Sequence, residues 1–135
     1  MAGANQDVQR LSQEYEELGE AIQQLQQAKA QVDAEISGCE DAKESLETIE
    51  SGGDILVSLG GDTRIRATVE DVEEVLVGVG ADVTLELERD DAVEQLEEKI
   101  DELESQKAEL DQEIESKEER LQQVAQQAQQ AQLGR

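Results

Sequence analysis

Proline, phenylalanine, tryptophan and histidine are absent from this 135-residue sequence, and tyrosine and cysteine occur once each, as Tyr15 and Cys39. Large aromatics supply much of the buried area of an ordinary core, so any core here has to come from aliphatic seams. Without histidine the commonest general base and metal ligand is missing. A lone cysteine precludes an intrachain disulfide and fits a reducing compartment. Bases are also scarce: 11 Lys and Arg stand against 35 Asp and Glu, a formal charge of −24. Nucleic acid is therefore excluded as a partner, because binding it depends on cations that neutralise phosphates. An anionic membrane surface is disfavoured for the same reason. No apolar run approaches membrane length, and no basic segment precedes an apolar one as in a secretory leader. These features predict a soluble, cytoplasmic protein.

The motifs of common chemistries are missing too. There is no GxxxxGK[ST] loop for nucleotide phosphates and no DxDxDG calcium loop. Gly78-Val79-Gly80 begins like a dinucleotide fingerprint, but Val83 stands where its third glycine belongs and no βαβ pattern surrounds it. Cys39 lies on an apolar helix seam, where a thiol behaves as a small hydrophobe. The sequence predicts no catalytic residue, no cofactor and no metal site, and hence no enzyme.

What the sequence does carry is periodicity. Low hydrophobicity (36%) with high net charge usually means disorder, but the apolar residues are regularly spaced. Val8, Tyr15, Ile22, Lys29, Ile36 and Lys43 recur every seven residues, and Leu11, Leu18, Leu25, Val32, Cys39 and Leu46 follow each by three. Further on, Val93, Ile100, Lys107, Ile114, Leu121 and Ala128 form one row, with Leu96, Leu103, Leu110, Lys117, Val124 and Ala131 as the other. A 3–4 repeat of this length keeps a narrow apolar stripe facing a partner helix and signals a coiled coil. At the α-helical rise each helix would span about 60 Å.

Between these segments the period becomes two. Ile55, Val57 and Leu59, then Ile65, Ala67 and Val69, then Val75, Val77 and Val79, then Val83, Leu85 and Leu87 alternate with mostly polar neighbours. This pattern, rich in β-branched residues, predicts four strands with one apolar face each. Gly60-Gly61-Asp62 and Gly80-Ala81-Asp82 supply tight-turn chemistry, and Glu70–Glu74 is either a longer connection or one helical turn. Ser51-Gly52-Gly53 ends the first helix, and Asp90 or Asp91 is the expected cap of the second. The expected fold class is α+β in a single domain. A helix over 7–50 and another over 91–132 form an antiparallel coiled-coil hairpin, with two β-hairpins over 54–88 between them. Four short strands cannot bury their apolar face alone, so the strands are expected to join copies or partners.

The charge has its own reading. The acids are spread along the whole chain, including the strand region, which suggests adaptation to a salt-rich cytoplasm where screening makes self-repulsion tolerable. The alternative explanation is that coiled coils are simply Glu-rich.

Local residues add a resemblance. Leu56-Val57-Ser58-Leu59-Gly60 resembles the Leu-Val-Pro-Leu-Gly of the prefoldin α family. Val75-Leu76-Val77-Gly78-Val79-Gly80-Ala81 resembles its Val-Leu-Val-Gly-Ile-Gly-Ala, and Asp91-Ala92 resembles the start of its C-terminal helix. Ser58 departs from the family's proline, and Asp82 stands where glycine is common. The resemblance implies an ATP-independent holdase subunit of the α type, since the β type carries a single hairpin. Two α subunits would pair through their strands and four β subunits would join them, giving a hetero-hexamer on a β-barrel platform. Its coiled-coil tips would bind non-native proteins for transfer to a group II chaperonin. The helix ends remote from the strands would place Val8, Leu11 and Tyr15 with Leu121, Val124, Ala125 and Ala128, and Leu133 beyond them. A fraying terminal seam would expose these residues to clients; they would equally serve simply to close the coiled coil. A different class of function is a structural coiled-coil adaptor that assembles without binding unfolded chains.

The seam lysines predict the alignment of the two helices. In an antiparallel pair, first-row residues face second-row residues, and alignments differ by whole heptads. Setting Lys29 beside Leu110, Lys43 beside Leu96, Lys107 beside Val32 and Lys117 beside Ile22 gives every lysine an aliphatic neighbour. Its stem can then follow the seam while the ammonium reaches a flanking acid. Lys107 is expected near Asp33 or Glu35, and Lys29 near Asp111 or Glu113. A slide of one heptad one way sets Lys29 against Lys117; the other way puts Lys43 opposite Arg89, beyond the start of the second helix.

Overall fold

The computed structural model describes residues 2–133; Met1, Gly134 and Arg135 lie outside the described residues. The order is α1 (Ala2–Thr48), β1 (Asp54–Gly60), β2 (Thr63–Thr68), β3 (Val75–Gly80), β4 (Val83–Leu87) and α2 (Arg89–Leu133). The helix bounds differ by a few residues from the expected 7–50 and 91–132: α1 starts at Ala2 and ends at Thr48, and α2 starts at Arg89 and ends at Leu133. Contacts divide the chain into two units, Met1–Ala34 with Leu103–Arg135, and Glu35–Glu102.

In the second unit the strands form two separate antiparallel hairpins, β1 with β2 and β3 with β4. No closed barrel exists among the described residues, so the barrel expected of the platform is not a property of this chain alone. The pairing of Ile55 with Ala67 and Val57 with Ile65 puts the expected apolar residues of the first hairpin on one face. Val75 with Leu87 and Val77 with Leu85 do the same in the second. Each ladder shifts register at one point, between Ser58 and Gly60 and between Gly78 and Gly80. The loops Gly61-Asp62 and Ala81-Asp82 follow, with all four residues at positive φ, as a two-residue type I′ hairpin requires.

Ala81 is the costly member, since at φ 50° its Cβ crowds the backbone while Asp tolerates this region better. Ala81→Gly is therefore expected to stabilise the chain by about 1 kcal/mol. Gly60→Ala, at φ 97°, should shift a denaturant midpoint the other way. A lowered midpoint for Ala81→Gly would contradict this account of the turn.

The helix-strand junctions rest on hydrogen bonds distant in sequence. Ser51 Oγ accepts from the Val72 amide at 3.1 Å. Gly52 N donates to Val69 O at 2.7 Å and Val69 N to Gly53 O at 2.8 Å, which extends the first hairpin back to the end of α1. The 70–74 segment is a connection rather than a helical turn, and the Glu73 amide closes on Asp71 Oδ1 at 2.9 Å. The start of α2 corrects the expected cap. The Ala92 amide already bonds Glu88 O, and the Arg89 amide is satisfied by Glu73 Oε2 at 3.3 Å. Asp90 and Asp91 instead lie in the first turn, where carboxylates complement the helix dipole. Arg89 Nη2 also donates to Ile49 O at 2.8 Å, past the end of α1.

Candidate functional site

In each unit α1 and α2 run side by side in opposite directions, and the seam lysines fix the alignment. In the first unit Lys29 Nζ lies 2.6 Å from Asp111 Oδ1 and Lys107 Nζ 2.7 Å from Asp33 Oδ1. In the second, Lys43 Nζ lies 3.0 Å from Glu97 Oε1. Each ammonium reaches the acid one residue beyond its expected layer partner, so the alignment is the expected one. Lys117 differs, making no ion pair among the described residues. It sits in the second row, where the residues flanking its partner Ile22 are Ala21 and Gln23 rather than acids.

The hydrogen bond that Lys107 donates to Asp33, with that carboxylate's field, raises the Lys107 pKa above 10.5, and the one that Lys43 donates to Glu97 does the same for Lys43. The lysine charge in both contacts is therefore present below pH 10.5 and is lost as the pH rises through the raised values. One clamp escaped the reading of the sequence: Arg120 Nε donates to Glu14 Oε1 at 2.8 Å. That bond holds the Glu14 carboxyl below 4.5, so its contribution is present above that pH and lost as the pH falls through the depressed value. The signal was available, because both residues occupy the position just before the first row, where antiparallel helices bring opposite charges together.

The expected client-binding residues all fall in the first unit and divide by exposure. Leu11 and Val124 are buried, the latter completely, and Val8, Leu121 and Ala128 are half-buried. Tyr15 (47%), Ala125 and Leu133 (78%) are exposed. From Leu121 to Leu133 the helix carries no charged residue.

The strand residues divide differently. Ile55, Val57, Leu59 and Ile65 of the first hairpin are exposed, as are Val79, Val83 and Leu85 of the second, while Ala67, Val69, Val75 and Leu87 are half-buried. Only Val77 is buried, facing a groove of about 580 Å3 lined also by Cys39, Ala42, Leu46, Val75 and Leu96. Leu56 (62%) and Leu76 (72%), on the opposite face of each hairpin, are exposed and were not singled out from the sequence. Among the described residues no group of three His, Cys, Asp or Glu side chains could hold a metal. No helix among the described residues is long and apolar enough to cross a membrane. The chemistry on offer is that of apolar surface, on the strands and on the exposed part of the helix pair.

Known proteins share this plan. The profile of the family described as "Prefoldin: Prefoldin subunit" matches residues 18–133. A prefoldin subunit alpha of Haloarcula marismortui is 43% identical over 83 residues, 56% of this chain and 54% of its own length. One from Halorubrum lacusprofundi is 37% identical over 103 residues, 76% of this chain and 68% of its own length. One from Methanococcus vannielii is 28% identical over 76% of this chain and 70% of its own. The match thus spans between 54% and 70% of the length of these relatives. A cryo-EM structure of filamentous PFD from Methanocaldococcus jannaschii has the same fold, with a TM-score of 0.55 at 24% identity, covering 89% of this chain and 96% of that one.

Proposed function

This chain belongs to the prefoldin family, as an α-type subunit, and from that premise we propose that it is part of an ATP-independent holdase. It assembles through its strands with a second copy and with four β-type subunits into a hexamer whose strands complete a β-barrel. The assembly captures non-native proteins and passes them to a group II chaperonin in the cytoplasm. The observation that carries the reading is the exposed apolar face of both hairpins in one unit, together with Tyr15 and Leu133 open to solvent on the helices of the other. Two hairpins of two strands are marginal by themselves, and apolar residues held open on a rigid helix pair suit clients without defined shape. The adaptor reading draws on the burial of Leu11 and Val124, which close the seam rather than offer it.

An aggregation assay separates the two. The chain reassembled with a β-type subunit is expected to suppress aggregation of a denatured client at near-stoichiometric ratio without nucleotide. Removing Met1–Leu11 and Leu121–Arg135 together should eliminate most of that protection while leaving the hexamer intact by size. Equal protection by the truncated complex would place client binding elsewhere, and no protection by either form would favour the adaptor.

A further inference from the structure

The two hairpins are variants of one unit, and their outer faces differ where their backbones do not. Each residue from Leu56 to Arg66 has a counterpart 20 positions later. The register shift falls at the same point, and φ repeats as 97°, 55°, 58° against 103°, 50°, 60°. On the face of the first hairpin opposite the apolar one, the cross-strand partners are Asp54 with Thr68, Leu56 with Arg66 and Ser58 with Arg64. The second hairpin holds Leu76 with Glu86 and Gly78 with Thr84 at the matching places. The same backbone is thus built equally well with threonine and glutamate there, so the two arginines are not required by the hairpin. Both are exposed, and in a chain of charge −24 neither makes an ion pair among the described residues. By contrast Lys29, Lys43, Lys107 and Arg120 hold acids between the helices, and Arg89 holds Ile49 O. The one acid on this face, Asp54, is engaged by Thr68, whose Oγ1 donates to its Oδ1 at 3.2 Å.

We infer that this outer face docks an extended acidic segment of another protein, with carboxylates two residues apart on Arg64 and Arg66 and an aliphatic side chain against Leu56. The inference rests on the assembly proposed above only in that covering the apolar faces leaves this one open. Residues i and i+2 of a strand stand about 7 Å apart on one face, so an extended peptide repeats the spacing of the two arginines. Acidic tails suit this geometry, because self-repulsion keeps them extended. A guanidinium presents a planar fork that takes a carboxylate through two parallel hydrogen bonds, which an ammonium does not. Leu56 is 62% exposed and lies directly across from Arg66. With Asp54, Ile55 and Arg66 it lines a hollow of about 210 Å3, which gives an aliphatic side chain a place beside the carboxylate held by Arg66. The charge of the chain sets the conditions. At low salt the net −24 repels any acidic ligand. At about 1 M salt the screening length is about 3 Å, so that repulsion is lost while contacts at hydrogen-bond length persist. Two arginines fall short of the roughly 6–10 phosphate contacts of a nucleic-acid binder, so a short acidic segment is the better fit.

A labelled peptide that alternates Glu with Ser and carries one Leu tests this. It is titrated by fluorescence anisotropy, in about 1 M potassium chloride, against the full chain reassembled with a β-type subunit. Saturable binding is expected, and almost none from the same peptide with Gln in place of Glu. Arg64→Thr combined with Arg66→Glu gives the first hairpin the residues that the second already accommodates. This variant should therefore fold, and assemble normally by sedimentation, while its affinity for the peptide falls about tenfold. Unchanged affinity in the variant would overturn the inference. Equal binding of the Gln peptide would do the same, by pointing to apolar capture elsewhere on the chain. Loss of assembly in the variant would overturn it as well, since the face would then be a contact between subunits. So would tighter binding of a single-stranded oligonucleotide than of the acidic peptide. Failure of the unmodified chain to assemble would count against the proposed function alone. The peptide titrated onto the chain by itself then still decides the inference, because the first hairpin carries the whole face.

Discussion

Moving this chain from molar salt to about 10 mM salt is expected to leave it largely unfolded, with the fold recovered when salt is returned. Neighbours three or four apart on a helix lie about 5–6 Å from each other, and a like-charged pair costs about 0.2–0.5 kcal/mol at low salt. In α2 alone there are about a dozen such acidic pairs, among them Asp91 with Glu94, Glu98 with Asp101 and Glu115 with Glu119. Together they cost about 4 kcal/mol, a large part of a typical stability of roughly 5–15 kcal/mol. Against them stand few ion pairs between the helices, all part-exposed and therefore weak. The repulsion wins at low ionic strength. At about 1 M salt the screening length falls to about 3 Å, shorter than the spacing of these neighbours, and the cost largely vanishes. Circular dichroism melts across this range would measure the effect; curves that coincide would remove salt adaptation as the reason for the acidic surface.

The second large effect concerns the strand face. Val57→Asp is expected to weaken assembly by about two orders of magnitude in Kd while leaving the helix content unchanged. Val57 lies opposite Ile65 and next to Ile55 on the apolar face, and all three are exposed in the single chain. In the monomer a carboxylate there costs little. Once a partner covers the face, that carboxylate is buried without a cation, at a cost of about 3 kcal/mol, or roughly a hundredfold in Kd. Ser58→Asp, one residue along but on the other face, serves as the control and should assemble nearly normally. If sedimentation found Val57→Asp assembled as tightly as the unmodified chain, the apolar face would not be the contact.

The fold was legible in the sequence wherever one period dominated. Heptad rows located both helices, and alternation located four strands with the correct side of each turned to a common face, because cross-strand partners share a face. Even the alignment of the helices followed from Lys29, Lys43 and Lys107, whose charges tolerate few layers. What stayed hidden depends on contacts distant in sequence. The start of α2 is fixed by the Glu73 side chain, 16 residues away, so no local cap motif marks it. The strain at Ala81 shows only in its backbone angle, since Gly80-Ala81-Asp82 reads as an ordinary turn. The exposed ends of the helix pair were the least legible, because Leu11 and Tyr15 both occupy heptad positions yet one is buried and the other is not.

The bond from Arg89 to Ile49 joins residues 40 apart, while the clamp of Arg120 on Glu14 joins residues 106 apart. Closing a loop costs entropy that grows with the logarithm of its length, so the outer contact costs roughly 0.9 kcal/mol more to close from an open chain. That difference disappears once the inner contacts have formed, since each layer then adds to a loop already shut. From an open chain, the contact at Arg89 is therefore the cheaper of the two to form first. Fraying can be confined to the layers around Glu14 and Arg120, at the cost of those layers alone, without reopening the junction that holds the strands.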